Sequence, residues 1–256
     1  MMKFKKIVSV FLVAACVLAV TACGSKKENG DGEAKKDGDK LVMATNAEFP
    51  PYEYREGDDI VGIDADMAAA VAEELGMELE IEDMAFDSII PAVQSGKADI
   101  GVAGMTVDPD RLENVNFSDT YAEASQVIIV KEDSEIAGPD DLEGKTIGVQ
   151  LGTTGDIYAS DIKDATVEQY NKGFEAVQAL TQGKIDAVVI DGEPAKEFVK
   201  EAEGLKILDE PLTEEEYAIA IAKDNEELLK KVNEALSSLK ESGKLDEIVG
   251  KYITAE

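Results

Sequence analysis

From Leu41 to about Ile253 the chain alternates between short apolar runs and longer stretches whose apolar residues recur every three or four positions. KLVMATN at 40–46 reads as a strand opening into a loop, AEFPPYEY, where Pro50 and Pro51 forbid helix. DADMAAAVAEELGM at 64–77 reads as a helix. Asp64 is placed to cap it, Met67, Val71 and Leu75 repeat on one face, and Gly76 ends it. ELEIEDM (78–84) follows as a strand, FDSIIPAVQSG (86–96) as a helix and ADIGVAG (98–104) as a strand. This order predicts an α/β fold with a largely parallel sheet.

The second half repeats the scheme. KTIGVQ (145–150) is a strand, GTTGDIYASDI (152–162) a loop opening into a helix, FEAVQALTQG (174–183) a helix and AVVID (187–191) a strand. GKADIGVAG at Gly96 is echoed by GKIDAVVIDG at Gly183, which favours two similar lobes. SQVIIVK near residue 128 and YAIAIAK near residue 219 are placed to cross between them, and the helical segment from Asn225 to Ile253 to pack back on the first lobe. The expected division is lobe 1 at 40–127 plus 219–256 and lobe 2 at 128–218. Ligands of open α/β sheets sit beyond the carboxyl ends of the strands. Four loops therefore matter, those after 41–45, 99–104, 146–150 and 186–190.

Composition narrows the chemistry. With 25 basic against 55 acidic residues the net charge is −30, so no basic stripe exists to neutralise phosphates and nucleic acid is excluded as a partner. There is no histidine, and the two cysteines, Cys16 and Cys23, both lie near the N-terminus. Ser-His-Asp triads, cysteine nucleophiles, His-ligated zinc and structural disulfides are thereby ruled out for the folded part. Carboxylate chemistry, hard-cation binding and binding without chemistry remain.

The N-terminus changes the expected address. MMKFKK precedes the apolar run IVSVFLVAACVLAVTA, the pattern of an export signal and too short for a comfortable membrane span. VTAC, ending on Cys23, resembles a bacterial lipobox, whose cysteine receives lipid and becomes the mature N-terminus. The expectation is a signal peptide at 1–22, then lipidated Cys23 and a flexible tether reaching residue 39, GSKKENGDGEAKKDGD, with no large apolar residue. An ordinary secretory signal is the alternative.

Chemistry concentrates in the four loops. Only Arg55 and Arg111 are arginines. In GMTVDPDR, Asp108 reads as a helix cap and Pro109 as the first helical residue, so Arg111 falls in the first turn, beside unpaired N–H groups. A guanidinium there matches a carboxylate in two-pronged fashion. A structural salt bridge is the equal alternative on spacing alone. QLGTTGD offers N–H groups and hydroxyls at a second helix start, and AVVID ends on Asp191, either an ammonium acceptor or a turn residue. Phe49, Tyr52 and Phe86 supply aromatic walls. Together these parts describe a zwitterion site.

In order and spacing, ATNAEFPPYEY, GIDADMAAAVAEELGM, FDSIIPAVQSGKADI, AGMTVDPDRLENVNFSDTY, DLEGKTIGVQLGTTG and GKIDAVVID resemble the family 3 extracellular solute-binding proteins, the polar amino-acid receptors of ABC importers. Ala65 departs from the larger aliphatics or threonine usual there. The resemblance implies a two-lobed periplasmic-binding-protein fold (type II), each lobe a mixed sheet flanked by helices, joined by two hinge strands. It implies that Arg111 binds the ligand carboxylate with Gly104 and Thr106, and that Thr154 adds a backbone N–H. Asp191 would hold the ammonium group, again beside Gly104. Phe49 and Phe86 would sandwich the ligand side chain, with Tyr52 in the same loop. Asn46 stands where an aspartate often reads the far end of the ligand, so the resemblance does not specify a basic or glutamine cargo; Glu48 and Gln150 are placed to compensate. The implied protein is a monomeric, extracytoplasmic, lipid-anchored bacterial receptor that needs no cofactor, metal or catalytic step. It would close on a polar amino acid and deliver it to ABC permease subunits. The rival is a periplasmic dehydratase-type enzyme on the same fold, which would need a carboxylate acid but not Asp191 for an ammonium group.

Overall fold

The computed structural model of the protein describes residues 40–253. The expected signal peptide, Cys23 and the tether lie outside the described residues. Among the described residues no helix is long and apolar enough to cross a membrane.

The chain begins with β1 (Lys40–Thr45), followed by three short antiparallel strands, β2 (Glu48–Phe49), β3 (Glu53–Glu56) and β4 (Asp59–Val61). Then come α1 (Ile63–Glu74), β5 (Glu78–Asp83), a 3₁₀ turn at Phe86–Ser88 leading into α2 (Ile89–Gln94), β6 (Ile100–Gly101), α3 (Pro109–Leu112) and β7 (Val115–Phe117). A second series runs β8 (Ala122–Lys131), β9 (Thr146–Gln150), α4 (Thr154–Asp161), β10 (Thr166–Tyr170), α5 (Gly173–Thr181), β11 (Ala187–Asp191), α6 (Gly192–Glu201), β12 (Leu205–Ile207) and β13 (Thr213–Tyr217). The chain ends with β14 (Ala220–Ala222), α7 (Glu226–Glu241) and α8 (Lys244–Tyr252).

These elements build two lobes, each on a mixed sheet. The first sheet has the order β5-β1-β6-β14-β7, parallel through β6, with β14 antiparallel to both its neighbours. The second has the order β10-β9-β11-β8-β12, with β8 antiparallel to β11 and β12, and β13 also paired to β8. The chain passes between the sheets twice, from β7 into β8 and from β13 into β14. Where it does so, Ala122–Gln126 and Thr213–Tyr217 run antiparallel as a two-stranded ribbon. Val232, Leu236, Leu239, Leu245 and Ile248 of the last two helices join Met67 and Val71 of α1 in one apolar core.

Two local expectations are corrected. ADIGVAG forms only two ladder residues, although Asp99 N and Val102 N still bond Val42 O and Ala44 O. Asp64 does not cap α1. The cap position falls two residues earlier, at Gly62, whose φ of 125° lets its backbone lie where a Cβ would be 2.1 Å from Tyr52 O. Asp64 instead points inward from the first turn and is fully buried.

Candidate functional site

A small cavity, largely filled by its own side chains, lies between the lobes, lined by Asn46, Phe49, Glu53, Phe86, Ala103, Gly104, Arg111, Gln150, Thr153, Thr154 and Asp191. Most of these residues follow the carboxyl end of a strand: Asn46 after β1, Gly104 after β6, Gln150 and Thr154 at and after β9, Asp191 on the last residue of β11. The strand order of an open α/β sheet creates such a crevice, and the loops fill it with chemistry.

Arg111 is held by local rules. Asp108 caps α3, its Oδ1 accepting from Asp110 N at 2.9 Å and Arg111 N at 3.3 Å, with Pro109 at the first position. Arg111 is 7 % exposed; its guanidinium lies 5.3 Å above the Phe86 ring and donates from Nη1 to Thr106 O (2.9 Å) and from Nη2 to Gly152 O (3.1 Å). Among the described residues no carboxylate lies within salt-bridge distance of it. The structural ion pair that spacing alone left open is therefore not found among the described residues. Burial lowers its proton affinity, opposed by Asp108, Glu215 and Asp191.

Asp191, 5 % exposed, faces the same cavity and accepts a hydrogen bond from the Tyr217 hydroxyl. Burial pushes its carboxyl up to about 7; Glu215 adds to the rise and the Tyr217 hydroxyl opposes it. The cavity thus holds an anion-seeking group and a cation-seeking group that are not paired to each other.

Several sequence candidates stand elsewhere or are already engaged. Thr106 Oγ1 (2.7 Å) and Thr154 Oγ1 (3.0 Å) both donate to Glu215 Oε2 on β13, joined by Gln126 Nε2 at 3.1 Å. Thr106 does not line the cavity. Thr154 keeps its N–H, since the first residue of a helix has no intrahelical acceptor. Gly104 N donates to Asp64 Oδ2 at 2.8 Å, leaving its carbonyl, which suits an ammonium and not a carboxylate. Tyr52 packs edge-on against Tyr217 at 5.1 Å, outside the cavity. Glu48 is also outside and pairs with Lys172. Asn46 and Gln150 meet across the cavity, Gln150 Nε2 donating to Asn46 Oδ1 at 2.9 Å. This bond, the Arg111–Gly152 bond and the Glu48–Lys172 pair tie one lobe to the other.

Sequence reasoning missed Glu53. It lines the cavity from β3, is 1 % exposed, and sits opposite Phe49 in the β2–β3 pair. Its position between Tyr52 and Tyr54 in a short loop-like stretch gave no sign of burial. The β2–β3 register, which places it beside Phe49, is the signal that finds it.

Residues 41–255 match the family described as bacterial extracellular solute-binding proteins, family 3. The chain is 38 % identical to the arginine-binding extracellular protein ArtP of Bacillus subtilis (strain 168), over 96 % of this chain and 97 % of that protein. It is 32 % identical to a probable histidine-binding protein of Neisseria gonorrhoeae, over 100 % of this chain and 98 % of the relative. Among solved structures, an ancestral arginine-binding protein bound to arginine is similar with a TM-score of 0.81 at 41 % identity, covering 84 % of this chain and 98 % of that one. The arginine-, lysine-, histidine-binding protein ArtJ from Geobacillus stearothermophilus is similar with a TM-score of 0.80 at 36 % identity, over 85 % and 96 % of the two chains.

Proposed function

Since the chain belongs to the bacterial extracellular solute-binding proteins of family 3, we propose that its cavity captures an L-amino acid with a cationic or neutral polar side chain, arginine first, for delivery to an ABC permease. One observation carries this reading: Arg111 and Asp191, an anion-seeking and a cation-seeking group, face one cavity, and neither is in an ion pair among the described residues. A zwitterion answers both at once, its carboxylate on the guanidinium and the Thr154 N–H, its ammonium on Asp191 and the Gly104 carbonyl. Phe49 and Phe86 are the walls for the side chain, and Asn46 and Gln150 meet its far end. Glu53 adds acid, and among the described residues no second cation lines the cavity, so an acidic side chain finds no partner. The relatives named for arginine fit this selectivity. They and the family as a whole are binding proteins, which leaves the dehydratase reading without support.

The mechanism is lobe closure. The ligand bridges first-lobe Arg111 and second-lobe Asp191 and Thr154, and so favours the conformation in which the Asn46–Gln150 and Glu48–Lys172 contacts exist. The moving units are residues 40–127 with 219–256, and 128–218. The closed monomer is the form that docks on the permease, held at the outer face of the membrane by lipid on Cys23.

Thermal unfolding of the full chain tests the cargo. Arginine at a thousand times its dissociation constant stabilises by about 4 kcal/mol, or about 10 °C for a chain of this size. No shift with any amino acid, but one with a prephenate-like acid, would reverse the conclusion in favour of the enzyme. The anchor has its own test. In a bacterial host, labelled palmitate is expected on the native chain and absent from Cys23→Ser; label on both, or on neither, refutes lipidation at Cys23.

A further inference from the structure

The cavity carries more acid than a zwitterion needs. Beside Asp191 stands Glu53, and behind it Asp64 of α1, both buried. The carboxyls of Glu53 and Asp64 are within hydrogen-bonding reach of each other. Glu53 Oε2 and Asp64 Oδ1 receive no N–H or O–H donor from elsewhere in the described protein. Two buried acceptors in contact require a proton between them. Asp64 has two donors of its own, Gly104 N at 2.8 Å and the Tyr121 hydroxyl at 2.9 Å, which favour its ionised form. The proton therefore resides on Glu53.

The other groups around Glu53 keep it there. Asp191 at the end of β11 adds negative charge, and burial with Asp64 holds the Glu53 carboxyl well above its ordinary range. Tyr121 and Tyr52 are neutral, their hydroxyls pushed upward by burial. Arg111 is the cavity's cation, while Glu48 on β2 is turned onto Lys172. When an amino acid with a neutral side chain enters, its carboxylate answers Arg111 and its ammonium answers Asp191, and neither calls on Glu53. A cationic side chain adds a positive charge inside the cavity, where Glu53 is the further carboxyl of the lining and the Asp64 carboxylate stands behind it.

We propose that Glu53 reads the charge of the bound side chain, keeping its proton for a neutral ligand and releasing it to solvent for a cationic one. The proposal rests on the cavity being an amino-acid site. It makes the cavity's preference for cationic over neutral ligands a function of pH: the ratio of the two affinities rises by up to about tenfold for each unit of pH while Glu53 is protonated in the unliganded protein.

The test is calorimetric titration of the full chain at pH 6.5 with arginine and with citrulline, its neutral isostere, in buffers of different ionisation enthalpy. Asp191 loses protons to both ligands and cancels in the difference. Arginine is expected to release up to about one proton more than citrulline, and this excess is expected to vanish in Glu53→Gln. Equal release by the two ligands, or an excess that persists in Glu53→Gln, overturns the proposal while leaving amino-acid binding intact. If citrulline gives no heat, release on arginine binding by the native chain and by Glu53→Gln is compared under the same criterion. If Glu53→Gln does not fold, the comparison of ligands on the native chain decides. Absence of any arginine binding overturns the functional reading itself, and this inference with it.

Discussion

Replacing Arg111 by methionine is expected to weaken arginine binding by a factor of about 10² to 4 × 10³ while leaving the unliganded protein close to native stability. The guanidinium is the only cation lining the cavity among the described residues, and in the proposed reading the ligand carboxylate meets it out of reach of bulk water. Removing one partner of such a buried pair costs about 3–5 kcal/mol, and each 1.4 kcal/mol is roughly a factor of ten in affinity. Folding tells a different story. Without ligand, Arg111 has no carboxylate at ion-pair distance among the described residues; the carbonyls of Thr106 and Gly152 and the more distant charges of Asp108, Glu215 and Asp191 offset its burial only in part. Methionine preserves the contact with the Phe86 ring and removes the desolvated charge, so lost hydrogen bonds and relieved burial oppose each other. Arg111→Lys retains the charge but not the planar fork, and is expected to fall between native and Arg111→Met. Calorimetric affinities alongside urea unfolding separate these effects. Binding by Arg111→Met within tenfold of native would remove the guanidinium from the site.

The second large effect is on stability. The unliganded protein is expected to be less stable at pH 8 than at pH 5, by about 4 kcal/mol from two aspartates alone, or about 10 °C in melting temperature. Burial pushes Asp64 up to about 6 and Asp191 up to about 7, and Glu53 well above its ordinary range. In the unfolded chain all three titrate near pH 4. The folded protein therefore binds more protons than the unfolded one across this interval, and raising the pH withdraws that advantage as each folded-state value is passed. The overall negative charge acts in the same direction, so the attribution needs a variant: Asp191→Asn is expected to flatten part of the slope. Stability that is level or rising from pH 5 to pH 8 would contradict the protonation states assigned here. Basic ligand supplies the missing positive charge, so its stabilising effect is expected to be larger at pH 8.

What was legible in the sequence was whatever chemistry is local. The alternation of strands and helices, the Asp108–Pro109 cap and the position of Arg111 in the first turn of α3 depend on neighbours within a few residues. Interactions that close over long separations were not legible. Asp64 has the sequence features of a cap, but its Oδ2 is taken by Gly104 and Tyr121, 40 and 57 residues away. Glu215 lies in an acidic run, TEEEY, that reads as a solvated face; its carboxylate in fact collects Thr106 from 109 residues away and Thr154 from 61. That engagement withdraws both hydroxyls from ligand contact, which no local pattern reveals. Tyr52 was read as a wall of the site because its loop is rich in aromatics, yet it faces Tyr217. Glu53 was overlooked because a charged residue in a short strand is usually exposed.

The position of β14 in the first sheet orders assembly in time. This strand, at residues 220–222, separates β6 from β7, which are built more than a hundred residues earlier, and α7 and α8 complete the core around α1. The strands of the second sheet all lie between residues 122 and 217. As a chain emerges from N- to C-terminus, the second lobe has its full set of strands while the first still lacks the middle of its sheet. The lobe that starts the polypeptide is thus the last to finish folding, and until it does, β6 and β7 present unpaired edges. A chain interrupted between Asp191 and β14 keeps both Arg111 and Asp191 but lacks the strand that completes the first sheet around Arg111's lobe.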